Sequence, residues 1–150
     1  MHSRDPFDLD RFVQAQEENY SDALAEVRAG KKRTHWSWYI FPQLRGLGSS
    51  AMSVRYAISG LPEAKGYLAH PILGVRLVEC VAAINQHAGT KPEAILGNID
   101  ARKFHSYVTL FARVCEPGSI FHQALATHFV GHEDQATLAL LAAMGCQSEA

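Results

Sequence analysis

The stretch Thr34-His-Trp-Ser-Trp-Tyr-Ile-Phe-Pro-Gln-Leu-Arg-Gly-Leu-Gly48 contains both tryptophans of the chain, and its conformation decides the fold class. In a β-strand its alternate residues would face opposite sides of a sheet, whereas in a helix it would be apolar nearly all round. Because the rest of the chain offers no convincing partner strand, we predict a helix that ends at Pro42. The glycine-bounded loop over 43–48 that follows is a candidate rim for a binding site.

Outside this stretch, apolar residues recur at helical spacing between short glycine and proline breaks. The pattern predicts a compact all-α domain with short helices over residues 6–17, 20–29, 51–57, 62–68, 72–87, 91–96, 101–115, 119–130 and 135–144. The side chains expected to cap helix N-termini are those of Ser49 or Ser50, Thr90 in a capping box with Glu93, Asp100 and Ser119.

Length and composition indicate one soluble globular domain over residues 1–150. Hydrophobic residues make up 47% of the chain and charged residues 19%, far from the balance of a disordered protein, and the formal net charge is -1. One short basic cluster, Lys31-Lys32-Arg33, is too little to bind duplex nucleic acid. An odd number of cysteines, no signal peptide and no long apolar run predict a cytoplasmic protein that has no membrane partner.

Polar side chains in the aromatic stretch allow two interpretations each. His35, beside Trp36 and Tyr39, is either a general acid or base whose pKa is tuned by apolar neighbours, or a core histidine with satisfied nitrogens. Arg45, directly before Gly46, either contacts a phosphate or carboxylate ligand or forms a surface salt bridge.

The helix predicted over 101–115 carries polar residues beside an apolar stripe centred on Phe104. Lys103, Ser106 and Thr109 lie away from that stripe, because each helical residue turns by about 100°. They form either an ordinary solvent-exposed face or the wall of an internal pocket that holds an anion or a ribose-like group. Burial of Lys103 distinguishes the two.

Metal binding is a separate class of function to consider. Four potential ligands lie close together in the sequence: His122, His128, His132 and Asp134. Gly131 breaks the turn that would place the second and third of these on one helical face. The chain also lacks a glycine-rich phosphate loop and a nucleophile elbow, so we predict neither a metal nor a cofactor.

Several segments spread over almost the whole chain combine residues in an unusual way. They are Asp5-Pro-Phe-Asp-Leu-Asp-Arg-Phe12, His35-Trp-Ser-Trp-Tyr-Ile-Phe-Pro-Gln-Leu44 with Gly46-Leu-Gly48, His70-Pro71 with Leu73-Gly74 and Arg76-Leu77, Asp100 with Lys103, Thr109-Leu-Phe111, and Thr137-Leu138. Together they resemble the family catalogued as domain of unknown function 1810. Some of its members carry a calpastatin label, but no segment here resembles an inhibitory repeat of that disordered protein.

The resemblance implies a compact, mainly α-helical single domain, and it implies no established reaction. The motif positions that it carries over, without roles, are His35, Trp36, Trp38, Tyr39, Gln43, His70, Arg76, Asp100, Lys103, Ser106 and Thr109. Tyr107 stands where the resemblance leads us to expect the second of two consecutive serines.

These observations predict a pocket for a polar anionic small molecule, such as a nucleotide or an ADP-ribose-like compound, with hydrolysis as one activity to test. The candidate catalytic residues are His35 and Asp100, and the candidate ligand-binding residues are Trp36, Trp38, Tyr39, Gln43, Arg45, Lys103, Ser106 and Thr109. The alternative is a non-enzymatic interaction module or a homodimer that uses the aromatic stretch as its anchor. A third interpretation is that the motif only organises the core, with its polar side chains satisfying backbone groups at helix ends. The sequence does not decide between a monomer and a homodimer.

Overall fold

The computed structural model describes residues 5–34 and 36–149 and confirms the all-α class. In this part of the chain the helices are α1 Asp10–Gln16, α2 Tyr20–Ala29, α3 Ser37–Ile40, α4 Ala51–Arg55, α5 Leu61–Ala69, α6 Leu73–Asn85, α7 Pro92–Leu96, α8 Asn98–Ala112, α9 Ile120–Phe129 and α10 Gln135–Glu149. The aromatic stretch is helical for a single turn, α3, before Pro42. Extended backbone pairs at one parallel bridge in the described residues, between Leu44 and Ile58.

Helix α8 lies at the centre of the fold. Helices α5, α7, α9 and α10 pack around it, and every residue over 106–112 is buried. Aromatic side chains fill the space between these helices, with Phe104, Tyr107 and Phe111 fully buried. The prediction of an apolar stripe on one side of this helix is therefore too narrow, because neighbouring helices cover its other sides as well.

The N-terminal motif anchors α1. The Asp5 carboxylate accepts hydrogen bonds from the backbone N–H groups of Leu9 (2.7 Å) and Asp10 (3.1 Å). The Arg11 guanidinium donates all of its N–H groups to four carbonyl oxygens and one carboxylate, those of Phe7, Asp8, Arg55, Ala57 and Glu63. The helix begins later than the predicted residue 6, because Asp8 has a left-handed φ of 52° and interrupts the helical path.

A close corner joins α5 to α6. The Nδ1 atom of His70 accepts hydrogen bonds from the N–H groups of Ile72 (3.1 Å) and Leu73 (3.2 Å) and so caps the start of α6. At Gly74 the two helices approach so closely that an added Cβ would lie 2.0 Å from the carbonyl oxygen of Leu68. The corner explains why a histidine and a glycine occupy these two motif positions.

No single helix in the described ranges is long and apolar enough to cross a membrane. Helices α5 and α6 would have the necessary length and composition only together, and they are bent by 91° at the corner.

Two of the predicted caps are confirmed and two are wrong. The side chains of Ser50 and Ser119 accept hydrogen bonds from the N–H groups three residues later. The N-cap of α7 is Lys91 rather than Thr90, without a side-chain hydrogen bond. Asp100 lies inside the first turn of α8, because Gly97, at a φ of 88°, both ends α7 and caps α8.

Candidate functional site

A carboxylate on α2 holds the chain as it enters the aromatic stretch. Glu26 accepts hydrogen bonds from the backbone N–H groups of Arg33 (2.7 Å) and Thr34 (3.0 Å), from the Thr34 hydroxyl (2.7 Å) and from the Trp36 indole (2.9 Å). Burial raises the pKa of the Glu26 carboxyl, but these hydrogen bonds outweigh burial and lower the pKa to about 2. Glu26 is therefore ionised at neutral pH and fixes the orientation of the Trp36 ring.

Two of the three aromatic residues predicted to contact a ligand are core residues. The exposed fraction is 1% for Trp36 and 6% for Tyr39. Gln16 on α1 donates a hydrogen bond to the Tyr39 carbonyl oxygen (2.7 Å), and Asn19 donates one to the Tyr39 hydroxyl (2.9 Å). These contacts fix α3 against α1 and leave Trp38 as the half-buried ring of the three.

Charged and aromatic side chains meet where α3 approaches the start of α8. We call this group the lysine–tryptophan cluster; its members are Lys32, Trp36, Trp38, Asp100 and Lys103. The Asp100 carboxylate lies 2.9 Å from the Lys32 Nζ atom and 3.6 Å from the Lys103 Nζ atom. Each ammonium group also lies 5.0 Å from the centre of an indole ring, Lys32 above Trp36 and Lys103 above Trp38. Both contacts have the geometry of cation–π interactions.

The charges of the lysine–tryptophan cluster are largely shielded from solvent. The exposed side-chain fractions are 8% for Lys32 and 16% for both Asp100 and Lys103. Buried charges in proteins are normally paired. Here two ammonium groups share one carboxylate, and neither lysine forms another ion pair within the described residues. Two cations and one anion leave these three groups with a surplus of one positive charge.

The Lys103 side chain is half-buried, with 16% of it exposed, so it does not lie on a fully solvent-exposed face. Ser106 and Thr109 are buried, but their hydroxyls bind elsewhere. Ser106 donates a hydrogen bond to the Asp134 carboxylate (3.2 Å), and the Thr109 hydroxyl accepts one from the Asp134 N–H (2.9 Å). The same carboxylate accepts hydrogen bonds from the N–H and hydroxyl of Thr137. Ser106 and Thr109 thus attach the start of α10 to α8, and the structure does not bring them to the cluster.

Gln43 and Arg45 also lie apart from the cluster. Their backbones pair with Ile58, which donates to the Gln43 carbonyl oxygen (2.8 Å) and accepts from the Arg45 N–H (2.8 Å). The Arg45 side chain is exposed and lines a surface depression of about 350 Å³ beside α1, α4 and α5. None of the residues that line this depression belongs to the lysine–tryptophan cluster.

The remaining sequence candidates are distributed over the fold. His35 lies outside the described residues, so its role as an acid or base stays a prediction. Among the potential metal ligands, His122 contacts the Ser119 hydroxyl (2.7 Å) and the His128 ring meets the edge of Phe104. No group of three or more potential ligands in the described part of the chain could hold a metal ion.

Sequence reasoning missed Lys32 and Glu26. The Lys32 N–H donates to the Ile95 carbonyl oxygen (2.7 Å), which places this lysine next to α7 and the start of α8. Such a contact between distant segments leaves no trace in local spacing. The sequence feature that could have indicated Lys32 is the basic triplet directly before the aromatic stretch.

The chain belongs to the family described as protein of unknown function (DUF1810), whose model matches residues 6–141. This confirms the resemblance seen in the sequence. The chain is also similar to a solved structure, that of the conserved hypothetical protein Rv1873 from Mycobacterium tuberculosis. The two share 52% sequence identity and a TM-score of 0.89, over 92% of this chain and 99% of that one. Among curated proteins, none matches.

Proposed function

We propose that this protein binds a small polar anion at the lysine–tryptophan cluster, as part of a nucleotide or an ADP-ribose-like compound. The observation that supports the proposal is that two shielded ammonium groups share the single carboxylate of Asp100. A negatively charged group on a ligand would complete the pairing. Lys103 is the lysine that would turn to the ligand, because its Nζ atom is farther from Asp100 than that of Lys32.

Trp38 gives the proposed site a second kind of contact. Its indole ring is half-buried and lies next to Lys103. An aromatic face beside a cation suits a ligand that joins a flat ring to an anionic group, since the ring stacks while the ammonium pairs with the charge. Nucleotides have this composition.

Hydrolysis of the bound compound is the reaction that the acid–base candidates would support. One of His35 and Asp100 would donate a proton to the leaving group while the other activated a water molecule. This part of the proposal depends on His35. It is tested separately, by assaying any compound that binds for turnover in the parent protein and in the His35→Ala variant.

The use of the aromatic stretch as a docking surface for a partner protein or a second copy is less well supported. Aromatic anchors of an interface must be accessible before the partner binds. Trp36 and Tyr39 are buried within the chain, so of the three predicted anchors only Trp38 has a partly accessible ring.

The proposal is tested by titrating the protein with ATP, ADP-ribose and pyrophosphate while recording tryptophan fluorescence and thermal stability. A compound present at about 100 times its Kd adds about 2.7 kcal/mol to the free energy of unfolding. Lys103→Ala should weaken binding by about tenfold or more, the loss expected for one charge-assisted hydrogen bond. Trp38→Phe should abolish the fluorescence change, because the buried Trp36 does not meet the ligand.

Lys91→Ala is the matched control, since Lys91 is an exposed lysine outside the cluster. If Lys103→Ala and Lys91→Ala bind every compound equally, or if none of the three compounds binds the parent protein, the proposal is wrong.

A further inference from the structure

We infer that the depression beside Arg45 is a second, separate anion site and that it takes a phosphoryl group. The depression has a volume of about 350 Å³ and lies where residues 6–8, just before α1, and Arg11 meet the end of α4 and the start of α5. Because it shares no residue with the lysine–tryptophan cluster, the inference does not depend on the proposed function.

The floor of the depression is electrically neutral. Arg11 and Glu63 pair at 2.9 Å, with exposed side-chain fractions of 15% and 3%. Arg11 already donates every N–H group within the protein, and the other Glu63 oxygen accepts a hydrogen bond from the Ser59 N–H (2.8 Å). Neither charge of this pair is left for a ligand.

The rim, by contrast, carries two guanidinium groups that are available. Arg45 and Arg55 are both exposed and line the same depression. Arg55 is partly oriented, because its Nε donates to the Tyr56 hydroxyl (3.2 Å), and both terminal amino groups stay free to donate. In the described part of the chain no hydrogen bond or ion pair engages the Arg45 guanidinium. The pairing of Arg45 with Ile58 holds its backbone in place beside the segment that follows α4.

The charge and the number of donors favour a phosphoryl group. Asp8 also lines the depression, so two guanidiniums and one carboxylate give the rim a net charge of +1. Two planar guanidinium forks supply more N–H donors than the two oxygens of one carboxylate ligand can use, whereas a phosphoryl group offers three oxygens and up to two negative charges. Ser59 lines the same depression, and a serine hydroxyl can donate one further hydrogen bond.

Asp8 provides a variant with the opposite expected sign. Its carboxylate repels an anion at the rim, and asparagine tolerates the left-handed φ of 52° that this residue adopts. Asp8→Asn should therefore strengthen phosphate binding, whereas loss of either arginine should weaken it.

The inference is tested by titrating the full chain with inorganic phosphate, glycerol phosphate and acetate, followed by amide chemical shifts. Arg45→Ala and Arg55→Ala should each weaken phosphate binding by about tenfold, and Asp8→Asn should tighten it. Both phosphates should bind more tightly than acetate; a preference for glycerol phosphate would indicate a phosphoryl group on a larger molecule, and a preference for inorganic phosphate the free ion. Lys65→Ala, which removes an exposed cation elsewhere on α5, should bind like the parent.

Three results would overturn the inference: no shifts at the depression with either phosphate, an equal loss of affinity in Lys65→Ala, or acetate binding as tightly as phosphate. Lys103→Ala separates the two sites, because it should leave phosphate binding at the depression unchanged. Loss of that binding in Lys103→Ala alone would place the phosphate at the lysine–tryptophan cluster and also overturn the inference.

Discussion

The polar side chains of the family motif divide into those that hold the backbone and those whose partners are other charges. Asp5, Arg11 and His70 bind backbone groups next to helix ends. Lys103 differs, since its side chain pairs with the Asp100 carboxylate and lies above the Trp38 ring. The interpretation that the motif only satisfies backbone groups therefore accounts for the first set and does not cover Lys103.

Substitution of Glu26 should lower the stability of the fold, because this one carboxylate accepts four hydrogen bonds. Replacing it with glutamine presents an NH₂ group to N–H donors and removes the charge. We expect Glu26→Gln to lower the free energy of unfolding by about 1 to 3 kcal/mol at neutral pH, measured by chemical denaturation. Glu93→Gln, at an exposed position on α7, is the control. Equal stabilities of the two variants would contradict the role given to Glu26.

At the scale of helices, local signals predicted some of the helix ends and none of the angles between helices. The bounds of α2 agree with the predicted 20–29, because Gly30 takes a left-handed conformation at its C-terminus. The start of α8 was missed because Gly97 serves two helices at once. The sequence predicts a break between the helices over 62–68 and 72–87, but the close approach of α5 and α6 at this corner depends on tertiary packing, which periodicity does not encode.

The close packing of α5 against α6 leads to a prediction about Gly74. A methyl group there would collide with the Leu68 carbonyl oxygen, so α6 would have to move away from α5. We expect Gly74→Ala to lower the free energy of unfolding by about 1 to 3 kcal/mol or more. Gly89→Ala is the matched control, because its new Cβ would meet no atom within 4 Å. If both variants melt at the same temperature, α5 and α6 tolerate a methyl group at position 74, and the explanation given for this glycine is wrong.

The candidate site could be predicted from the sequence only in part, because it too depends on contacts between distant segments. Trp38, Asp100 and Lys103 stood out by residue type and by the family resemblance. Their meeting with Lys32 depends on the chain that leads from α2 to α3 running against α7, a contact over more than sixty positions of sequence. Arg45 was also selected from the sequence, but its separation from the cluster became visible only in the folded molecule.

For the molecule as a whole, acidification should reduce stability in two windows of pH. Burial, aided by the nearby His87, lowers the pKa of His128 below its ordinary value of 6.5. The folded state therefore binds this proton less readily than the unfolded chain, and stability falls as the pH drops through 6.5. Glu26 acts at lower pH: its pKa is 4.5 when unperturbed and about 2 in the fold, so its contribution is lost as the pH falls from 4.5 towards 2.

Two variants separate these windows in denaturation experiments over a series of pH values. His128→Phe, which suits the aromatic neighbours Phe104 and Phe129, should flatten the loss below pH 6.5, whereas Glu26→Gln should flatten the loss below pH 4.5. His132→Gln, at an exposed position, should follow the parent protein. A His128→Phe profile that parallels the parent would show that another group titrates in the upper window.

The central position of α8 has a consequence for how the protein reports a bound ligand. Because neighbouring helices bury residues 106–112 of this helix, we expect the amide hydrogens of that part to exchange with deuterium from solvent only when most of the molecule opens. Asp100 and Lys103 belong to the first turns of that same helix. A compound that pairs with Lys103 and stabilises the folded state would therefore also slow exchange at the buried amides of the same helix, although it contacts none of them.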